Sequence, residues 1–377
     1  MTTPTPLNVL VTGASGLVGA EVVARLVQAG HAVIAVLHSQ PEIVRNNHRK
    51  LHTTALSSTL RPGTVATVRG DVTLPGLGLP AEVRARLLGC VERVVHTAAV
   101  TDFGRPPATY RKVNLQGTEN VLRLAQDGVR GPIPLIHVST AYVCGERPGP
   151  IREDELDVGQ VFGTDYEESK FKAEVLLQTA AAGGIPVSVI RPSIVTGAER
   201  TGRIREFNNI YTVLKIFTEG KVNAIPGHYE ATLDLVPVDY VAEVVTQVTT
   251  RFEEAAGKTF HTVGPAPHTL RDFSDVMAEY PSFHVPRYVP PSSFSADQLN
   301  ELDRRYYEQV VSLYESFFRR RPVFDNKATV AFVGRSPAGG GRPYLRRILD
   351  YGVRARYLGA PLPGVAEILA RLDSKTA

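Results

Sequence analysis

A tyrosine and a lysine lie four residues apart near the middle of the chain, in the segment Tyr166-Glu-Glu-Ser-Lys170. Residues i and i+4 share one face of a helix, so an ammonium group can lie close to a phenol. A nearby cation lowers the pKa of a tyrosine, which predicts that Tyr166 acts as an acid or base near neutral pH with Lys170 beside it. The pair therefore indicates proton-transfer chemistry.

A glycine-rich segment near the start of the chain supplies the second part of a predicted active site. Gly13, Gly16 and Gly19 form a GxxGxxG pattern after the apolar run Leu7–Val11 and before a segment of helical spacing. Gly13 permits a tight turn, Gly16 lets the backbone approach a phosphate, and Gly19 lets the helix pack on the strand. The pattern predicts a dinucleotide site at a helix N-terminus. The other loop residues assigned to the cofactor are Ser15, Leu17 and Val18.

The residues after the second predicted strand bear on which dinucleotide binds. An acidic residue there would bind the ribose 2′-hydroxyl of NAD and repel a 2′-phosphate, but the chain has Leu-His38-Ser-Gln. Arg45, Arg49 and Lys50 follow shortly afterwards. We therefore expect NADPH to be preferred over NADH, with His38 at the cofactor.

Further candidate cofactor contacts follow the third and fourth predicted strands. Asp71 and Val72 can place a carboxylate and backbone groups near the adenine, although capping of a turn or helix explains Asp71 equally well. The segment His96-Thr-Ala-Ala closes the fourth strand at the same edge, and its Ala98 and Ala99 are assigned to the cofactor. No catalytic role is assigned to His96.

A hydroxyl group precedes the tyrosine and lysine at the end of the fifth predicted strand. Small-molecule sites form at the carboxyl ends of parallel strands, and Ser139 and Thr140 lie there. A hydroxyl at this place can hold a substrate carbonyl oxygen while Tyr166 protonates it. YxxxK alone recurs by chance, but a strand-end hydroxyl about 26 residues upstream makes the pattern more specific.

Strands that alternate with helices must position these residues. The alternation runs from Leu7 to Thr250, which predicts an α/β fold with a doubly wound, mostly parallel Rossmann sheet. An insertion at residues 198–232 interrupts it and is expected to contribute to the substrate site. We therefore predict an NADP-binding Rossmann domain over residues 1–250 and a smaller, mostly helical C-terminal substrate-binding lobe over residues 251–377.

The C-terminal lobe contains one long helix in this prediction. Ser295-Ala-Asp-Gln298 matches a capping box, and six apolar residues after it fall on one helical stripe. We expect this stripe to pack against the insertion and to roof the site as an apolar acyl channel. The stripe consists of Leu299, Leu302, Tyr306, Val310, Leu313 and Phe317.

Charge is concentrated in the same lobe. The whole chain has a net charge of +4, which is too small to indicate a nucleic-acid partner. Residues 297–377 carry 14 Lys and Arg against 9 Asp and Glu, so the excess lies there. The arginines at 319–321 and at 342, 346 and 347 form either a solvated face or a docking patch for an acidic carrier protein or the phosphates of CoA.

Composition and length are those of a soluble globular protein. The chain has 377 residues, of which 43% are hydrophobic and 21% charged, and no long uncharged apolar stretch, so no membrane span is predicted. The first residues lack a basic region and lead directly into a strand, so no cleavable signal is expected. Cys90 and Cys144 are interpreted as buried apolar residues, which fits a cytoplasmic location. No metal site is predicted.

The motifs, in their order, resemble the extended short-chain dehydrogenase/reductase family from about Leu7 to Thr250. They are TGASGLVG, GDV, HTAA, NLQGT, HVSTAYVCG, YEESK and IRPSIVTG. Within that family, GDVTLPGLGL, VSTAYVCGE and YEESKFKAE are similar to the branch of fatty acyl-CoA reductases and carrier-bound thioester reductases. LYESFFRRRPVFDN is similar to the tail of acyl-CoA reductases.

The resemblance implies roles for individual residues. Thr140, Tyr166 and Lys170 correspond to the catalytic hydroxyl, tyrosine and lysine, with Thr140 favoured over Ser139 because it lies five residues before Gly145. Lys170 would also bind the nicotinamide ribose. His38 stands where this branch usually carries arginine. Asn114 corresponds to a helix asparagine that organises a proton-relay water, and the segment Arg191-Pro192-Ser193-Ile194 to a loop at the nicotinamide.

The function that follows is NADPH-dependent reduction of an acyl thioester, bound to CoA or to a carrier protein, to an aldehyde or alcohol. Hydride would reach the carbonyl carbon while the Tyr166 and Thr140 hydroxyls stabilise the oxyanion. One alternative is a dehydrogenase or ketoreductase acting on a free ketone, alcohol or nucleotide sugar. The other is an NADP-binding sensor or scaffold without catalysis.

Overall fold

Sixteen strands occur in the described part of the chain, which comprises residues 5–56 and 59–359 of a computed structural model. In chain order they are Asn8–Thr12 (β1), Ala32–Leu37 (β2), Thr54–Ala55 (β3), Val65–Arg69 (β4), Arg93–His96 (β5), Leu135–Val138 (β6), Gly149–Ile151 (β7), Val187–Pro192 (β8), Ile194–Thr196 (β9), Ala224–Pro226 (β10), Thr232–Leu233 (β11), Leu235–Pro237 (β12), Thr259–Thr262 (β13), His268–Thr269 (β14), Arg287–Val289 (β15) and Pro322–Phe324 (β16).

Twelve α-helices accompany these strands within the same ranges. They are Leu17–Gln28 (α1), Ala81–Cys90 (α2), Pro107–Tyr110 (α3), Gly117–Gln126 (α4), Asp165–Ala182 (α5), Ile210–Thr218 (α6), Val238–Thr250 (α7), Phe252–Ala255 (α8), Leu270–Met277 (α9), Glu301–Gln309 (α10), Lys327–Val333 (α11) and Gly341–Arg354 (α12).

Eight strands form one parallel sheet in the order β13-β8-β6-β5-β1-β2-β4-β3. Parallel neighbours need crossover connections, and helices on both faces of the sheet supply them. The direction of winding reverses at β1, because β2 and β4 lie on one side of it and β5, β6 and β8 on the other. Such a switch point leaves a crevice at the carboxyl ends of the strands, where ligands bind. The predicted doubly wound Rossmann fold is confirmed.

Side chains of β1 alternate between two apolar cores, one on each face of the sheet. Val9 and Val11 pack with residues of α1 and α7, including Val244. Leu10 packs with residues of α2 and α4, including Val121. Because each buried Val or Leu side chain contributes about 1.5–3 kcal/mol, the two cores fix the register of the strand that leads into the glycine loop.

The sheet continues beyond residue 250, where the sequence predicts a domain boundary. β13 pairs in parallel with β8, with Phe260 opposite Ile190, and forms one edge of the sheet. Both side chains belong to the same apolar core as α7. The chain therefore completes its sheet before it enters the C-terminal lobe.

A third apolar core joins the insertion at 198–232 to the C-terminal lobe. It contains Tyr211 and Leu214 of α6, Phe273 of α9 and Tyr344 of α12. The lobe also includes short strand pairs, β10 with β15 and β11 with β14, so it is less uniformly helical than expected. The end of the predicted lobe, residues 360–377, lies outside the described residues.

The predicted long helix of the lobe is wrong in its start and in its length. The Ser295 side chain makes no capping hydrogen bond. The helix α10 begins six residues later, where Asn300 Oδ1 accepts the backbone N–H of Asp303 at 2.9 Å. At Val310 the backbone leaves helical geometry, with φ −132° and ψ −58°, and residues Val311–Phe318 continue as 3₁₀ turns.

The apolar stripe is broken for the same reason. Leu302 remains 55% exposed, whereas Phe317 and its neighbour Phe318 are both buried in the third core. Adjacent residues of a continuous α-helix point about 100° apart, so the tighter turns after Val310 allow both rings to face inward. Tertiary packing thus overrides the local helical pattern.

Within residues 5–56 and 59–359, no helix combines the length and the apolar character needed to cross a bilayer.

Candidate active site

A cavity of about 610 Å³ opens at the carboxyl ends of the sheet, at the switch point beside β1. The glycine loop forms one side of it, and the insertion and the C-terminal lobe form the other. Thr140 and Tyr166 face this space together, as expected from the sequence. The predicted site residues in its wall are Gly13, Gly16, Leu17, Val18, Gly19, Ala99, Thr140, Tyr166, Ser193 and Ile194.

The glycine loop has a geometry that suits a dinucleotide. Gly13 has φ +69°, and a Cβ atom there would lie 2.5 Å from the backbone nitrogen of Ala98. A Cβ atom on Gly19 would collide with the Gly13 carbonyl. The loop therefore packs tightly, and the first turn of α1 with Leu17 and Val18 borders the cavity, so its free N–H groups can bind the pyrophosphate.

Other predicted cofactor residues lie beside the cavity rather than in its wall. His38 Nε2 is 3.5 Å from Asp71 Oδ2, so the ends of β2 and β4 meet at the adenosine side of the loop. Asp71 Oδ1 also accepts the N–H of Thr73 at 2.8 Å, which makes it a turn cap. Val72 is buried against α4, where its carbonyl accepts the side-chain amide of Asn120. Ser15, Ala98 and Pro192 also lie outside the wall.

The basic residues expected near a 2′-phosphate are largely engaged with carboxylates. Arg45 Nη2 binds Glu21 Oε2 at 2.7 Å, and Lys50 Nζ binds Glu42 at 2.8 Å. Arg49 is exposed on the same segment.

The structure adds a basic residue that sequence reasoning missed. Arg205, from the insertion, donates to the carbonyl oxygen of Ser15 at 2.9 Å and to that of Val44. It therefore ties the insertion to the glycine loop. No local pattern could have revealed it, because the partners are 190 residues apart in the chain.

Thr140 and Tyr166 are held by two separate turns. Thr140 follows β6 and caps the 3₁₀ turn Ala141–Cys144, with its hydroxyl donating to the Pro192 carbonyl at 3.3 Å. Tyr166 lies in the first turn of α5, whose start is fixed by the Thr164 hydroxyl. Burial raises the pKa of Tyr166, and a hydrogen bond with Thr140 acts in the opposite direction.

Lys170 is fully buried and does not act on the tyrosine as the sequence predicted. Its Nζ donates to the carbonyl of Val138 at 2.8 Å and lies 3.3 Å from His137 Nε2. Burial lowers the pKa of Lys170 to about 8, with Glu174 acting in the opposite direction. The expectation that Lys170 depresses the pKa of Tyr166 is wrong for this arrangement, because desolvation outweighs any cation effect and the ammonium is bound to the sheet.

Asn114 joins the loop after β5 to the helix that carries Tyr166. It lies in a π-helical turn, Arg111–Gln116, between α3 and α4. Its Nδ2 donates to the Val100 carbonyl at 3.1 Å and to Ser169 Oγ at 3.0 Å, while its Oδ1 accepts the Val100 N–H at 2.8 Å. π-turns interrupt helices frequently at functional sites, and this one orients the wall of the cavity opposite Tyr166.

Two arginines that the sequence assigned to the site or to docking are buried in ion pairs. Arg191 forms a bidentate pair with Glu174, at 3.0 Å from Nε and 2.7 Å from Nη2, and therefore anchors β8 to α5. Arg320 Nη2 binds Glu167 at 2.7 Å, and its guanidinium lies 4.1 Å from the centroid of the Phe317 ring. Arg320 thus cannot belong to a docking patch, because it supports the cavity wall from within.

The parallel sheet, the glycine loop at its switch point and the helix that carries Tyr166 and Lys170 place this chain among NAD(P)-dependent oxidoreductases of the extended short-chain dehydrogenase/reductase type. The family profile described as "Male sterility protein" matches residues 11–245. The match spans more than half of the chain, and the chain belongs to this family.

Sequence relatives include parts of large synthases. The chain is 30% identical over 284 residues to the isonitrile lipopeptide synthase of Streptomyces coeruleorubidus, which covers 73% of this chain and 19% of that protein. It is 26% identical over 304 residues to a linear gramicidin synthase polypeptide of Brevibacillus parabrevis, covering 78% and 6%. The chain thus spans less than a fifth of the length of either relative.

Solved structures show the same likeness. The terminal R domain from the myxalamid PKS-NRPS biosynthetic pathway aligns with a TM-score of 0.76 and 26% identity, over 96% of this chain and 94% of that one. A thiolation-reductase di-domain from an archaeal non-ribosomal peptide synthetase shares the fold, with a TM-score of 0.69 and 20% identity, over 93% of this chain and 76% of that one. The resemblance to thioester reductases and fatty acyl-CoA reductases inferred from the motifs is confirmed.

Proposed function

We propose that the chain reduces an acyl thioester with NADPH, giving an aldehyde and a free thiol. The observation that carries the proposal is that one cavity is bordered by the glycine loop, Thr140 and Tyr166 together. The relatives named as terminal R domain and as reductase di-domain support the choice of a thioester over a free ketone. A second reduction of the aldehyde would give the alcohol.

The chain's own residues supply the polar part of the reaction. The nicotinamide, when bound, supplies the hydride. The hydroxyls of Thr140 and Tyr166 donate to the carbonyl oxygen of the substrate and stabilise the negative charge that develops there. Tyr166 then gives its proton to that oxygen, and the resulting hemithioacetal expels the thiol. Lys170 carries its positive charge behind this pair.

The other half of the cavity suits an apolar acyl group. Tyr142, Val213, Leu233 and Phe317 line it, and all four are buried. Charged lining residues, by contrast, have half-exposed side chains and lie at the rim, as for Asp102 and Arg105. Apolar walls with few polar groups favour a hydrocarbon chain over a sugar.

NADPH remains our proposal for the cofactor because no acidic residue follows β2. Arg205 and the exposed Arg49 lie on segments beside the loop that would hold the adenosine. Positive charge in this region favours a 2′-phosphate.

A carrier protein is the proposed partner, and a groove of about 470 Å³ offers a surface for it. We call it the arginine groove; its basic residues are Arg200, Arg203, Arg346, Arg347 and Arg354. It adjoins the active site along the chain, since Ile204 and Glu206 of the same segment line the cavity. Positive charge there would attract an acidic carrier.

The test is NADPH oxidation by the purified chain with a panel of acyl-carrier proteins, acyl-CoAs, simple ketones and nucleotide sugars, followed by product identification. The proposal predicts turnover with thioesters and release of one thiol per aldehyde. Turnover with ketones or sugars only would support the dehydrogenase alternative. Binding of NADPH without oxidation by any substrate would support a sensor.

A further inference from the structure

Two buried histidines lie side by side beneath Lys170. His96 on β5 and His137 on β6 are opposite each other in the parallel pair, and their ring centroids are 5.2 Å apart. Both side chains are essentially inaccessible to solvent. Buried imidazoles need defined hydrogen-bond partners, so the partners reveal which ring nitrogen carries the proton.

The protonation of His96 follows from its two threonine partners. Thr118 Oγ1 donates its proton to the Asn114 carbonyl at 2.6 Å, so it accepts from His96 Nε2 at 3.1 Å. Nδ1 of His96 is then the acceptor for the Thr12 hydroxyl at 2.7 Å. Each nitrogen of His96 is therefore satisfied, as in a structural histidine.

His137 differs, because its partner is Lys170. The ammonium has only donors, so His137 Nε2, at 3.3 Å, must accept and the ring proton lies on Nδ1. That Nδ1 is buried and has no hydrogen-bond partner among residues 5–56 and 59–359. An unpartnered buried N–H is costly, so the ring is oriented for the lysine rather than for its own stability.

We infer that His137 is a positioning residue for Lys170. His137 Nε2 and the Val138 carbonyl take two of the three ammonium N–H groups, which leaves one for the cofactor. The imidazole also stabilises the charged form of the lysine by accepting from it. This inference rests on the proposed function only in assigning Lys170 to the nicotinamide ribose.

Several titratable groups set the protonation of Lys170. Glu174, one turn further along α5, stabilises the ammonium and is itself held by Arg191 of β8. His137 and His96 face it from the sheet, and burial keeps both neutral by lowering the pKa of each. Loss of the His137 acceptor should therefore lower the pKa of Lys170, since the ammonium would lose one of its two hydrogen bonds.

The experiment compares His137→Gln, which can still accept through its side-chain oxygen, with His137→Leu, which cannot. NADPH affinity is titrated against pH without any thioester, so the result does not depend on the substrate. In the wild type, affinity should fall as pH rises through about 8, the pKa of Lys170. In His137→Leu the midpoint should move down by about one pH unit, with about tenfold weaker binding below it, and in His137→Gln it should stay.

Controls separate positioning from packing. His268 is a buried histidine on β14 that binds the Gly341 carbonyl, so His268→Leu should leave the midpoint unchanged. Equal effects of His137→Gln and His137→Leu, or no shift in either, would overturn the inference. Should His137→Leu fail to fold, ¹⁵N NMR of the wild-type imidazoles decides, because a proton on Nε2 of His137 contradicts the arrangement.

Discussion

Tyr166 is the residue on which the proposed chemistry depends most directly. Its hydroxyl faces the cavity and interacts with Thr140, and burial raises its pKa, so it is protonated near neutral pH and suited to donate. Tyr166→Phe keeps the ring and removes only the donor. Turnover should fall at least about a hundredfold, while the Kd for NADPH stays within about twofold. Near-normal turnover would show that another group is the acid.

His38 is the residue that we expect to tune cofactor choice. The wild type should bind NADPH at least about tenfold more tightly than NADH, equivalent to about 1.4 kcal/mol. His38→Asp should shift the ratio toward NADH, because it places a second carboxylate beside Asp71 and repels a 2′-phosphate. Calorimetric titration with both cofactors measures the ratio, with His38→Asn as the neutral control. Equal affinities in the wild type would contradict the assignment.

At the level of elements, the pair Arg320–Glu167 links the C-terminal lobe to the first turn of α5. Both side chains are at most 3% exposed, and Arg320 also donates to the Gly145 carbonyl at 2.8 Å. Arg320→Met leaves Glu167 charged and buried without its partner. We expect a loss of about 3–5 kcal/mol in the free energy of unfolding.

Denaturant unfolding measures this loss, and Arg319→Met is the matched control. Arg319 is the adjacent residue, with a side chain that is 45% exposed and lies 3.7 Å from Glu315, so its replacement should change stability by less than about 1 kcal/mol. Similar losses in the two variants would mean that the buried pair has no special role.

Asp234, between β11 and β12, makes stability depend on pH. Its Oδ1 accepts the Gly264 N–H at 2.7 Å, but burial raises its pKa to about 6 from 3.8. The native state thus holds a proton that the unfolded chain releases, so this contribution to stability is full below about pH 4 and is lost as pH rises through 6.

Asp234→Asn tests this dependence, because the amide can still accept from Gly264 but does not ionise. Relative to the variant, the wild type should lose about 2–3 kcal/mol of unfolding free energy between pH 4 and pH 7. Thermal or urea unfolding at several pH values gives the difference. A difference that does not change with pH would show that Asp234 is not protonated in the folded state.

For the whole molecule, the arginine groove and the active-site cavity must cooperate if a carrier delivers the substrate. Arg200 and Arg203 are exposed and lie on the segment that also lines the cavity. The double variant Arg200→Glu/Arg203→Glu should raise KM for an acyl-carrier substrate about tenfold and weaken its salt dependence. KM for a small thioester without phosphate should not change.

The control for the groove is Arg123→Glu on α4, whose side chain is 64% exposed. Each such reversal alters net charge as one reversal in the groove does, but at a surface that does not line it. Equal effects per reversed charge would indicate general electrostatics, and an equal loss with the small thioester would indicate damage to the cavity. Either result would remove the groove as a docking surface.

The sequence by itself determined the sheet, the glycine loop and the candidate catalytic residues. These rest on local rules: alternation of strands and helices, the tolerance of Gly13 for positive φ, and the helical spacing of Tyr166 and Lys170. Local rules failed in the C-terminal lobe, where Ser295 and Asn300 were competing caps. There only the packing of Phe317 and Phe318 decided where the helix ended.

Tertiary structure alone decided the partners of the charged groups. Arg205 reaches Ser15, Arg320 reaches Glu167 and Lys170 reaches His137, across 190, 153 and 33 residues of chain. Sequence showed these as basic side chains with no indication of burial. Whether an arginine docks a partner or closes a core depends on desolvation and on which carboxylate lies within reach, and both are properties of the folded chain.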